Sequence, residues 1–78
     1  MKANLQDVIF NLYHSEINAS ISWFWDGGWD VKLGDELNGW RAEASFLPQD
    51  FPAIADWLDE QAKQHFPRSL YALEGEFT

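Results

Sequence analysis

His14-Ser15-Glu16 sets three residue types of acid–base and nucleophilic catalysis side by side. A catalytic triad, however, needs side chains that converge from separate elements, and consecutive residues point apart. The second histidine, His65, stands beside Phe66 and Pro67 at the end of a helical pattern, where a histidine interacts with the helix dipole. No His-x-x-x-His spacing offers a metal pair. Cysteine is absent, which excludes disulfides, thiolate nucleophiles and thiolate zinc sites. The expectation is a non-enzymatic protein without a cofactor.

Asp26, Asp30, Asp35 and Glu36 bracket two glycine-containing turns and form a candidate hard-cation set, since calcium binds clustered loop carboxylates. Their spacing does not follow the Asp-x-Asp-x-Asp-Gly pattern of a calcium-binding loop. Aspartates that bond nearby backbone in turns account for them equally well, so no metal is expected.

The densest feature is Trp23-Phe24-Trp25-Asp26-Gly27-Gly28-Trp29-Asp30, four aromatics and two carboxylates around one turn. Trp23 and Trp25 belong to an alternating pattern and are expected in the core. Phe24, Asp26, Trp29 and Asp30 are left over and form the candidate contact surface, because large rigid aromatics dominate binding hot spots. The primary expectation is a protein–protein interaction module. The alternative is a small-ligand or carbohydrate site, with sugar rings stacked on exposed tryptophan and carboxylates accepting hydroxyl hydrogen bonds.

Composition narrows the partner. Thirteen acidic against five basic residues give a formal charge of −8. Nucleic-acid binding needs clustered Lys and Arg to displace counterions, and anionic lipid needs the same. A protein partner is expected instead, either a second copy or a basic chain. No signal peptide is expected at residues 1–7, as Asp7 and Asn11 interrupt the apolar stretch such a leader would need. The expected setting is a bacterial cytoplasm.

The elements that must position these residues follow from periodicity. Leu5, Val8, Ile9 and Leu12 share one helical face, with Asn4 as N-cap and Asp7 in the first turn, predicting a helix over 4–14. From Ile17 the period becomes two. Strands are predicted over 17–26, 29–34 and 39–47, separated by Asp26-Gly27-Gly28 and by Gly34–Gly39. Asp50-Phe51-Pro52 opens a second helix over 51–66, with Asp50 near the cap and Ile54, Trp57, Leu58, Ala62, His65 and Phe66 on one stripe. The tail 68–78 carries enough apolar weight for part of it to dock, with its last four residues frayed.

Cross-strand partners share a face, and a one-residue slip reverses that face. A two-residue Gly27-Gly28 turn would set Asp30 and Lys32 opposite tryptophans, so a longer loop is expected, pairing Trp25 with Val31 and Trp23 with Leu33. Ser20, Ser22, Phe24, Asp30, Lys32, Arg41, Glu43 and Ser45 then face water. Ile21, Trp23, Val31, Leu33, Trp40, Ala42, Ile54, Trp57 and Leu58 form the core. The predicted architecture is a single α+β domain, a two-layer sandwich of order α-β-β-β-α. Its sheet is a three-stranded antiparallel meander with both helices on one face.

Overall fold

Asn4 starts the first helix as its sequence requires. In the computed structural model, which describes residues 4–35, 37 and 39–74, the Asn4 side chain accepts from the Gln6 and Asp7 N–H groups and α1 runs Leu5–His14. The helix stops at His14-Ser15-Glu16. The Glu16 N–H donates to the Tyr13 carbonyl and the Ile17 N–H to that of Leu12, the two bonds that close a Schellman C-terminus. Ile17 and Leu12, which accompany that motif, are both buried. Glu16 takes the left-handed position at φ 60° that glycine usually holds.

The meander follows as β1 (Ala19–Trp23), β2 (Trp29–Asp35) and β3 (Gly39–Phe46), in spatial order β1-β2-β3 and antiparallel throughout. A 3-10 turn at Pro48–Asp50 leads into α2 (Ala53–His65), and α3 (Leu70–Glu74) closes the described chain. The two predicted helices, the three strands and the meander are therefore present. Strand β1 is shorter than the predicted 17–26, and α2 begins two residues later than predicted. Pro52, not Asp50, occupies the α2 N-cap, with no side-chain bond to the first turn.

The predicted register is corrected by four residues. Trp23 lies opposite Trp29, Ile21 opposite Val31 and Ala19 opposite Leu33, so the loop spans residues 24–28. A shift by an even number of residues preserves every face, which is why the alternation is legible in the sequence and the pairing is not. Trp25 and Phe24 fall in the loop rather than on the sheet, and Trp25 is 94% exposed. The loop glycines do not use positive φ, which is confined to Gly34 and Gly39 among described glycines. Gly28 is required for a different reason. A Cβ there would collide with the Phe46 carbonyl oxygen.

A second correction concerns Trp40. The β2–β3 register shifts between Leu33 and Gly34: Leu33 opposes Ala42, but Gly34 opposes Trp40. Arg41 is thus an extra residue, a β-bulge that reverses the faces beyond it. Trp40 leaves the predicted core and lies on the polar face, its ring 5.4 Å from the Lys32 ammonium. Gly34 makes the bulge feasible, with φ +113° and space for a Cβ denied by Gly39 O at 2.8 Å and Arg41 N at 2.9 Å.

The core gathers Val8, Leu12, Ile17, Val31, Leu33, Ile54, Ala55, Leu58, Ala62 and Tyr71, with Ile21, Trp29, Ala42, Phe46, Trp57 and Phe66 packed on its margin. Helix α2 lies against β2 and β3, while α1 and α3 pack against α2. Trp23, expected in this core, is 61% exposed. The docked part of the tail is α3. The Ser69 hydroxyl accepts from the Ala72 N–H and donates to the Phe66 carbonyl. Tyr71, 2% exposed, donates its phenol to Asp59 at 2.8 Å. The four terminal residues expected to fray lie outside the described residues.

Two predictions follow from these contacts. Burial foremost, then the bond to Asp59 and its charge, push the Tyr71 phenol above its usual range. A raised pKa contributes stability that is intact below the unfolded value of about 10 and is lost as pH climbs past it. Tyr71→Phe should cost about 1–2 kcal/mol at neutral pH, and melting curves of the variant should lose part of the wild type's alkaline decline. Glu16→Gly removes a left-handed non-glycine residue and should raise stability by roughly 0.5–1 kcal/mol in urea titration.

Candidate functional site

The hairpin end of the sheet concentrates the aromatic residues. The last inner-face rung is Trp23 beside Trp29 beside Phe46. The Trp29 ring lies 5.5 Å from that of Trp23 and 4.7 Å from that of Phe51, while Phe46 meets Trp57 edge-on at 5.9 Å. The Trp29 indole N–H reaches the Pro48 carbonyl at 3.4 Å. Trp29 therefore closes the end of the core and ties β2 to the 3-10 turn. Trp29, expected among the exposed residues, is half-buried.

Phe24 and Asp26 are exposed in the loop, as expected of contact residues. Asp30 lies on the outer face, where its carboxylate accepts from the Ser45 hydroxyl at 2.8 Å. Alternation puts Trp29 and Asp30 on opposite faces of β2, yet both reach the sheet's end. Phe24, Trp29 and Asp30 line a shallow cleft of about 270 Å³ together with Gly28, Ser45, Phe46 and Leu47. Asp26 is not part of that lining.

Trp23 and Trp25, expected in the core, belong to the surface. Trp23 is 61%, Phe24 76% and Trp25 94% exposed, so three consecutive aromatics project from the hairpin. Their alternation resembles a buried strand. The contrary signal was the unbroken aromatic run itself: residues i and i+1 of a strand cannot share one buried face.

The remaining candidates separate. His14 sits at the α1 C-terminus with Phe10 and Tyr13 rings edge-on to it at 4.3 and 5.6 Å, and Ser15-Glu16 form the helix stop. Asp35 accepts from the Asn18 amide at 3.1 Å. Glu36 lies outside the described residues. Among the described residues, no three His, Asp or Glu side chains come together as a metal-binding group. Comparisons with protein-family models, curated proteins and solved structures yield no match. Among the described residues, no helix is long and apolar enough to cross a membrane. Fold and site together define a small α+β protein with an aromatic hairpin surface.

The two tryptophans should part in stability measurements. Trp29→Ala should lower stability by about 3 kcal/mol or more, as a large-to-small change at a core margin. Trp25→Ala should leave the denaturation midpoint within about 0.5 kcal/mol of wild type.

Proposed function

We propose that this chain is a non-enzymatic protein–protein interaction module whose contact surface is the first hairpin, centred on Phe24 and Trp25 with Trp23 beside them. One observation carries the reading: three consecutive aromatics, at the end of β1 and the start of its loop, lie mostly in water on a buried scaffold. A fully exposed aromatic forgoes roughly 2–3 kcal/mol of burial, and contiguous apolar surface marks contact sites on soluble domains. Asp26 flanks the patch and selects for a partner with basic or hydrogen-bond-donating groups at its rim. The electrostatic balance argues against nucleic acid, and the cytoplasm is the setting consistent with the sequence.

The test is a double substitution, Phe24→Ala with Trp25→Ala. Both side chains are exposed, so melting should be unchanged while capture of the partner in a pull-down from the native cells is lost. Retention of the same partner by the variant would reject the hairpin as the contact surface. The cleft lined by Phe24, Trp29 and Asp30 supports a second reading, carbohydrate binding. Tryptophan emission should shift on titration with the favoured sugar if that reading holds, and stay flat across a sugar panel if the protein-contact reading holds.

A further inference from the structure

The two edges of the sheet differ. Strand β3 carries Arg41 and Glu43 and a bulge, the devices that discourage strand addition. Strand β1, Ala-Ser-Ile-Ser-Trp, has none of them. Residues 17–25 contain no charged side chain, in a chain of formal charge −8.

The ladder shows what that edge offers. The Gly34 N–H donates to the Asn18 carbonyl at 2.7 Å, so positions 18 and 34 form a hydrogen-bonded pair. Pairs alternate along an antiparallel ladder, which makes Ser20–Lys32 and Ser22–Asp30 the bonded pairs and Ala19–Leu33, Ile21–Val31 and Trp23–Trp29 the non-bonded ones. The N–H and C=O groups of Ala19, Ile21 and Trp23 therefore turn away from β2, toward the free edge. On the helix side, Ala19 is exposed and Ile21 only half-buried. An apolar groove of about 330 Å³ runs beside them, lined by Ile9, Leu12, Tyr13, Ile17 and Leu58 among others.

We propose that a second copy of this chain pairs with this edge, β1 antiparallel to β1 about a twofold axis at Ile21. The strand is complementary to itself in that register. Ile21 meets Ile21, and Ala19 meets Trp23, so each protruding indole lies over the small residue and groove of its partner. Ser20 meets Ser22 on the outer face. The three edge residues of each copy then exchange backbone hydrogen bonds as bonded pairs. Charge selects this occupant: two chains of charge −8 can approach closely only where both lack carboxylates, and a basic strand would find no acidic partner along β1. Closure by a twofold leaves β3 as the outer edge of a six-stranded sheet, protected by its own charges. The edge shares Trp23 with the hairpin surface, but it is tested at Ala19 and the hairpin at Phe24 and Trp25, so failure of one proposal is distinguishable from failure of the other.

The experiment is sedimentation equilibrium with backbone amide exchange, on wild type and Ala19→Lys. Wild type should reach twice the single-chain mass of 9.0 kDa as concentration rises. In the dimer, the Ala19, Ile21 and Trp23 amides should exchange slowly, and they should exchange fast on dilution, whereas Ser20 and Ser22 stay protected in both. Ala19→Lys should return the mass to that of one chain, with melting equal to that of dilute wild type because residue 19 is exposed. A wild type that stays at single-chain mass overturns the proposal. So does a dimer that survives Ala19→Lys, or edge amides that exchange equally fast in monomer and dimer.

Discussion

Val31 and Leu33 of the middle strand are wholly buried beneath α2, in one cluster with its Ile54 and Leu58, and the remaining layout follows from that contact. A helix with its side chains is about 10 Å across, and neighbouring strands lie about 4.8 Å apart. One helix thus covers two strands of three. Here α2 takes β2 and β3, α1 packs on α2's flank, and the inner face of β1 is left with only partial cover. The groove between α1 and β1, the exposure of Ala19 and the half-burial of Ile21 are consequences of that geometry.

The scarcity of covering surface also explains the aromatics. With no cysteine to form a disulfide, a 78-residue chain must draw much of its stability from large side chains. Trp29, Phe46 and Trp57 do this at the hairpin end of the sheet, packed on the margin of the core. Tyr71 does it at the other end of α2, bringing α3 down and spending its hydroxyl on Asp59, which also holds Lys63 at 3.2 Å. Trp23, Phe24 and Trp25 exceed what this scaffold can bury. That surplus is what the interaction reading explains, and a purely structural account leaves it without a cause.

His14-Ser15-Glu16 illustrates how chemically suggestive residues can serve local geometry. The run ends a helix, supplies a left-handed residue and hands Ile17 into the core. Asp30 and Asp35 likewise engage neighbouring polar side chains, Ser45 and Asn18, rather than meeting in a shared site. Sequence proximity brought these groups together only on paper. The fold sends them to a helix end, to the outer face and to the far end of the middle strand.

Two helices and the three strands are legible from sequence because each is local: Asn4 caps α1, apolar residues recur at helical spacing in α1 and α2, and alternation marks the strands, whereas the helical form of α3 is not. Face assignment was legible for Ile21, Val31, Leu33 and Ala42, since a side chain's face depends only on parity within its strand. The candidate site was half legible, Phe24 and Asp26 emerging as exposed while Trp23, Trp25 and Trp29 traded places. What decided those three lies outside any local pattern. A register error of four residues, like any even shift, leaves every face intact, so alternation carries no information about it; pairing of Trp23 with Trp29 and the close approach of Gly28 to Phe46 set the strand's end. The bulge at Arg41, which turns Trp40 to the polar face, needs Gly34 to meet the backbone of Gly39 and Arg41 across the sheet. Which apolar residues remain in water depends on how many strands a helix can cover, and that is a property of packed elements in three dimensions.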